Sequence, residues 1–393
     1  MRGTGRRVAI TGYGVVAPCG IGKSAFWAGL NGPALAGART TAIDQWDPLP
    51  YYDSPKEARR ADRFEQFAVA AAAEAFDQAG APTADKHRFA TIFGTGVGGL
   101  RSTEEQIEVL ISKGERRVSP FLVPMMMANG GGAAISMRYG LRGANETICT
   151  ACAASTHAIA QAARLIAWDL ADAVATGGAE SANCPIGIAS FGNMTALSTS
   201  GRSIPFDADR DGFVLGEGAA VFILEEWTAA ADRGATILAE ILGAGSNADA
   251  HHITAPSPGG VGAIACMRLA LDDAGLSPAD IVQINAHGTS TPLNDAAEAA
   301  AVTAVFGERG VPITSTKGVT GHALGAAGAL ELAAVLGSFE HRAIPPTAGT
   351  TTVDQEMSID LVLGAARPFT PGPTMSNNFG FGGHNGSIIV APA

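Results

Sequence analysis

Two cysteines three positions apart, Cys149 and Cys152 in ICTACAASTH, open three chemistries. A C-x-x-C pair can exchange a disulfide, supply half of a zinc site, or hold one nucleophile beside a bystander. A structural zinc site needs two further ligands, and no second C-x-x-C or neighbouring Cys/His pair supplies them. Cys152 stands where the β-branched stretch ETICT gives way to the helical pattern ASTHAIAQAARLIA. At a helix start, free backbone amides and the positive end of the dipole favour a thiolate. A buried, inert thiol is the alternative, and Cys152 alone leaves both open.

Two histidines sit in the same local setting. His287 in INAHGTSTPLNDAAEA and His322 in STKGVTGHALGAAGA each stand between a short strand-like run and a helical one. Lys317 precedes His322 by five residues, and Glu298 follows His287 by eleven, one turn beyond Asp295. A lysine and a carboxylate so placed can orient and charge-balance imidazoles, or they can be ordinary solvated charges. SNNFGFGGHNGS (376–387) packs four glycines around two phenylalanines, a loop whose backbone N–H groups can approach a ligand and still hinge. It is no phosphate cradle, since no Gly-Lys-Ser/Thr follows. GTGVGGL (94–100) lacks the spacing of a dinucleotide fingerprint.

The elements that must position these residues read as two series of strands. RRVAITGYG (6–14), RFATIFGTG (88–96), DAVATGGAE (172–180) and AAVFILEE (219–226) form the first; IVQINAHG (281–288), VPITSTKG (311–318) and GSIIVAP (386–392) form the second. Between them lie alanine-rich helical patterns at 63–80, 155–170, 261–276 and 324–340. Alternation of this kind predicts an α/β fold with buried sheets. Two series predict two similar halves, residues 1–235 and 236–393, although no clean sequence repeat is visible. The proline- and glycine-bearing stretches 32–56 and 345–373 read as surface loops. In open α/β sheets reactive residues gather beyond the carboxyl ends of strands, which is where Cys152 and both histidines fall.

Bulk composition narrows the class. The 393 residues are 47% hydrophobic and 16% charged, so much of the chain is buried. A formal charge of −11 argues against a nucleic-acid partner. Five scattered cysteines do not form a secreted disulfide framework. Without a signal pattern or a long apolar run, the expectation is a cytoplasmic protein with no membrane partner.

Taken together, VAITGYGVVAPCG, TACAASTHAIAQAARLI, FDADRDGFVLGEGAAVFILEE, NAHGTSTPLNDAAEA, STKGVTGHALGAAGA and SNNFGFGGHNGS resemble the β-ketoacyl-acyl carrier protein synthases, the elongating ketosynthases of the thiolase superfamily. The resemblance runs essentially end to end. It implies a thiolase-like five-layered α-β-α-β-α fold of two related halves, usually dimeric. It makes Cys152 the nucleophile, His287 and His322 the histidine pair, and Lys317 and Glu298 supporting charges. Thr289 and Thr291 match residues that hydrogen-bond the phosphopantetheine arm. Phe381 matches a gate whose backbone N–H joins that of Cys152 in the oxyanion hole, and Val97 and Phe191 match acyl-pocket positions. His384 stands where many relatives carry threonine. Priming ketosynthases resemble this pattern with Cys-His-Asn and thiolases with Cys-His-Cys, so His322 points to decarboxylative elongation.

The implied reaction joins malonyl-acyl carrier protein to a Cys152-bound acyl chain and needs no metal or redox cofactor. Two pathways share it: fatty-acid elongation by a homodimer, and type II polyketide synthesis by a heterodimer with a chain-length-factor-like subunit. A catalytically silent partner subunit is the alternative, and such subunits lack the nucleophile that Cys152 supplies. Carrier proteins are acidic, so docking calls for a local basic patch; Lys56, Arg59, Arg60, Arg63, Arg116 and Arg117 are the candidates, with a solvated helical face as the other reading. Relatives carry small residues at the position of Cys149, which predicts a buried packing role for it.

Overall fold

The computed structural model describes residues 5–393. The first strand series consists of β1 (Val8–Ala17), β2 (Phe89–Gly94), β3 (Asn145–Ile148), β4 (Ala173–Glu180) and β5 (Gly218–Glu226). The second consists of β6 (Ala239–Ala248), β7 (Gln283–Asn285), β8 (Pro312–Thr314), β9 (Thr374–Gly380) and β10 (His384–Pro392). The spatial order is β3-β2-β4-β5-β1 in the first and β8-β7-β9-β10-β6 in the second. Directions correspond as well. β2 runs parallel to β3 and β4, whereas β5 is antiparallel to β4 and β1. Likewise β7 runs parallel to β8 and β9, and β10 is antiparallel to β9 and β6. The same strand order and directions thus occur twice, a duplication that side-chain divergence hides in the sequence. Val8–Ile10 of β1 pairs with Ala239–Ile241 of β6, joining both runs into one 12-stranded sheet with the short segments Gly20–Ile21 and Asp360–Leu361.

Helices fill the layers around and between these runs. α1 (Arg63–Ala79) and α2 (Gly130–Tyr139) cover the outer face of the first, where Phe64, Phe67 and Ile135 meet Val221 and Ile223 of β5. Neighbouring Phe222 and Leu224 of β5 point the other way, into the central core. That alternation is the period of two expected of a strand buried on both faces. The central layer holds α3 (Ala154–Ala167), with α4 (Val261–Ala274) and α5 (Pro292–Phe306) covering the second run. α6 (Ala327–His341) completes the central layer, and Ala327 through Phe339 are buried without a break. Glu331 is the one charged residue in that span, and a helix so nearly apolar all round is stable only in such a position.

Part of the 345–373 stretch departs from the surface-loop expectation. Pro345, Pro346 and Thr347 are buried, because the Thr314 hydroxyl donates to the Pro345 carbonyl and Thr347 Oγ1 accepts from the Ser315 N–H. Among the described residues no helix is long and apolar enough to cross a membrane.

Candidate active site

Cys152 occupies the single turn Ala151–Ala153 between β3 and α3. Ala151 adopts a left-handed φ of 49°, a bend that lifts Cys152 clear of the strand line. His287 stands two residues beyond β7, and His322 two beyond the short helix Lys317–Thr320. The His322 N–H donates to the Val214 carbonyl at 2.8 Å and its carbonyl accepts from Gly216 N–H at 3.0 Å, which pins the ring's backbone to the loop before β5. Both halves of the chain therefore deliver side chains to one point.

The three side chains converge. Cys152 Sγ lies 3.0 Å from His322 Nε2, and the two imidazole rings meet edge to face with centroids 5.3 Å apart. Cys152 Sγ and one ring nitrogen of each histidine all lie within 4.8 Å of one another. They line a cavity of about 340 Å³ together with Phe191, Met194, Thr289, Thr291, Phe379 and Phe381. The hydroxyls of Thr289 and Thr291 are 2.9 Å apart at its wall. The N–H groups of Cys152 and Phe381 both act on the Cys152 sulfur. A side chain on Gly380 would come within 3.0 Å of the Cys152 amide nitrogen, so glycine keeps this pocket of donors open.

Burial governs the electrostatics. It pushes the Cys152 thiol up to about 11, against the pull of the Lys317 charge and the Phe381 N–H. Burial, reinforced by Lys317, holds His287 and His322 well below the ordinary imidazole range. The resting site is thus a neutral thiol facing neutral imidazoles. Desolvation of the enclosed sulfur thus works against the thiolate that a helix start favours.

Lys317 is buried and forms an ion pair with Glu331 of α6, a residue the sequence reading missed. It also donates to the His287 carbonyl at 2.5 Å and lies 3.4 Å from His287 Nδ1. Glu298, expected to orient or charge-balance an imidazole, accepts the backbone N–H groups of His287 at 2.8 Å and Gly288 at 2.7 Å. Its carboxylate holds the turn carrying the histidine. Nothing in the pattern marked Glu331, since a lone acid in LGAAGALELAAVLG looks like an exposed helical position. Glu180 was missed too; it accepts from the N–H groups of Gly96, Val97 and Gly325 and ties the turn after β2 to the turn before α6.

Other expected site residues separate into groups. Phe191 lines the cavity, but Val97 does not; it is 44% exposed. His384 is half-buried beside Gly382, outside the cavity wall. Lys56, Arg59, Arg60, Arg116 and Arg117 are exposed, with the Arg60 guanidinium 4.0 Å from the ring centroid of Phe121. Arg63 leaves the proposed patch: its guanidinium pairs with fully buried Glu217 at 2.7 Å. Cys149 is exposed, not buried, because it follows edge strand β3, which pairs with β2 alone.

Comparison with known proteins identifies the family. The family model for the β-ketoacyl synthase N-terminal domain matches residues 31–230, and that for the C-terminal domain matches residues 238–351. The 3-oxoacyl-(acyl-carrier-protein) synthase 2 of Vibrio cholerae serotype O1 is 40% identical, with 98% of both chains covered. Its counterpart from Rhizobium meliloti is 41% identical over 98% of both chains. Among solved structures, the ishigamide ketosynthase/chain length factor superposes with a TM-score of 0.92 at 31% identity over 99% of both chains. A type II polyketide synthase acyl-carrier protein in complex with its hexaketide-bound ketosynthase gives 0.90 at 30% identity, again over 99% of both. With both family models matched in order and relatives aligned from end to end, the chain belongs to the β-ketoacyl synthase family.

Proposed function

We propose that this chain is a β-ketoacyl-acyl carrier protein synthase, condensing malonyl-acyl carrier protein with an acyl chain held on Cys152. The convergence of Cys152, His287 and His322 at the floor of one cavity carries the reading. In the first half-reaction Cys152 Sγ attacks the acyl thioester carbonyl as its proton passes to His322 Nε2, 3.0 Å away. The N–H groups of Cys152 and Phe381 hold the oxyanion. Collapse expels the pantetheine thiolate, which takes the proton back from His322, leaving acyl-Cys152.

Malonyl-carrier protein then enters the same cavity, its pantetheine arm held by Thr289 and Thr291. The bond to the carboxylate breaks, CO₂ leaves, and the electron pair becomes an enolate whose oxygen is held by the imidazole N–H groups. The enolate carbon attacks the acyl-Cys152 carbonyl, the new C–C bond forms, and the Cys152 thiolate departs. One proton from solvent restores the thiol. Every electron pair comes from the thiol or the released carboxylate, so the balance calls for no redox cofactor. Residues 1–235 supply the nucleophile and residues 236–393 both histidines.

Strand β3 has an open edge, with Met126, Met127 and Met137 exposed. An unpaired edge and exposed apolar side chains invite a second subunit, either another copy or a chain-length-factor-like partner. Fatty-acid and type II polyketide synthesis share this chemistry in the cytoplasm and differ in the acyl chain.

Intact-mass measurement tests the reading. The wild-type chain, with any copurifying partner, is incubated with acyl- and malonyl-carrier proteins. Acylation of Cys152 followed by a β-ketoacyl product is expected. A chain that never acylates where related enzymes do is the silent subunit instead.

A further inference from the structure

Asn378, in β9, stands between the buried ion pair and His287. Its Nδ2 is 2.7 Å from Glu331 Oε2 and 3.3 Å from His287 Nδ1, and its Oδ1 is 2.5 Å from the Thr156 hydroxyl. These contacts settle which end of the amide faces which neighbour. Glu331, ion-paired with Lys317, can only accept, so the NH₂ end must face it. Thr156 then donates to Oδ1. A side chain on Gly328 would fall 2.0 Å from Thr156 Oγ1 and 2.6 Å from Asn378 Oδ1, so the missing Cβ on α6 leaves this pair its room.

The second Nδ2 hydrogen is left pointing at His287 Nδ1. Lys317 Nζ, a donor without acceptor capacity, lies on the same ring nitrogen at 3.4 Å. Two donors facing Nδ1 require a lone pair there, which places the ring proton on Nε2. His322 differs: among the described residues its Nδ1 has no protein hydrogen-bond partner, and its Nε2 faces the thiol.

We infer that Asn378 is a positioning residue that locks His287 as the Nε2–H tautomer, a standing donor for the malonyl-derived enolate. His322, unlocked, exchanges its proton during acyl transfer. This division of labour rests on the condensation reading above. It predicts that Asn378 matters to the second half-reaction and not to the first.

The experiment combines tautomer and half-reactions. Nitrogen NMR of histidine-labelled wild-type protein, assigned with His287→Gln, is expected to show His287 Nε2 protonated and Nδ1 bare. Asn378→Asp removes the amide donor and sets a second carboxyl beside Glu331, which draws the Lys317 ammonium from Nδ1 as well, and is expected to move the proton to Nδ1. Malonyl-carrier protein decarboxylation should then fall roughly 10²–10³-fold, the scale of one lost oxyanion donor, with Cys152 acylation changed by less than about threefold. A wild-type His287 protonated at Nδ1 overturns the inference, even where the variant fails to fold. So does an Asn378→Asp protein that keeps decarboxylation, or loses both half-reactions equally while folded. Failure of the wild type to acylate or decarboxylate would count against the condensation reading, and the tautomer measurement would still judge Asn378.

Discussion

Lys317 donates to the backbone carbonyl of His287 at 2.5 Å while its ammonium pairs with Glu331, so one buried cation links the turn of one histidine to the central helix. Two charges enclosed this way are stable as a pair and costly singly. Glu331→Ala is expected to lower stability by roughly 3–5 kcal/mol, because it leaves Lys317 buried without its counter-charge. The double variant Lys317→Met, Glu331→Leu should lose less. Urea unfolding followed by circular dichroism checks this; a double variant as unstable as the sum of both singles would show that the pair is not the source.

The two cysteines have unequal tasks. Cys152→Ala is expected to abolish condensation and Cys149→Ala to leave it within about twofold, since only Cys152 faces the imidazoles. Product formation from acyl- and malonyl-carrier proteins is the readout. Equal losses would restore the dithiol reading of C-x-x-C.

A thiol pushed up to about 11 by burial is scarcely ionised near neutrality. Alkylation of Cys152 by iodoacetamide should therefore climb about tenfold per pH unit from about pH 7 to 9, with no plateau near the ordinary thiol value. Peptide mass spectrometry separates it from Cys149. A plateau below about pH 8 would mean that the helix end and Lys317 win over desolvation after all.

Both imidazoles are held neutral by burial, well below their ordinary value of 6.5. As pH falls below that value the unfolded chain takes up protons the folded chain refuses. Their contribution to stability is complete above about 6.5 and shrinks below it. The urea midpoint should drop between about pH 7 and 5, and less so in the double variant His287→Gln, His322→Gln. Equal drops in both proteins would assign the acid sensitivity to other groups.

Exposed and paired arginines should respond differently to charge reversal. Arg59→Glu with Arg60→Glu is expected to raise the KM for carrier protein several-fold and make it less sensitive to salt, with kcat and Tm little changed. Arg63→Glu should instead lower Tm, because it sets a second carboxylate beside buried Glu217. An unchanged KM with unaltered salt response in the Arg59/Arg60 variant removes this docking surface.

The strand and helix series were legible in the sequence, and the resemblance of its motifs singled out Cys152, His287 and His322 as the residues to look for. Period-two and helical apolar patterns mark the elements, and the switch from a strand-like run to a helical one marks the turns where Cys152, His287 and His322 stand. What surrounds them follows from the packing of distant elements. Glu331, Asn378 and Thr156 come from α6, β9 and α3, and nothing in their own neighbourhoods distinguishes them from ordinary polar residues. Arg63 was placed in the wrong partnership for the same reason, since spacing along the chain says where a charge begins and not which buried group it meets. The state of the thiol was likewise a tertiary outcome: a helix start is legible in one dimension, but desolvation is set by every layer packed around the sulfur.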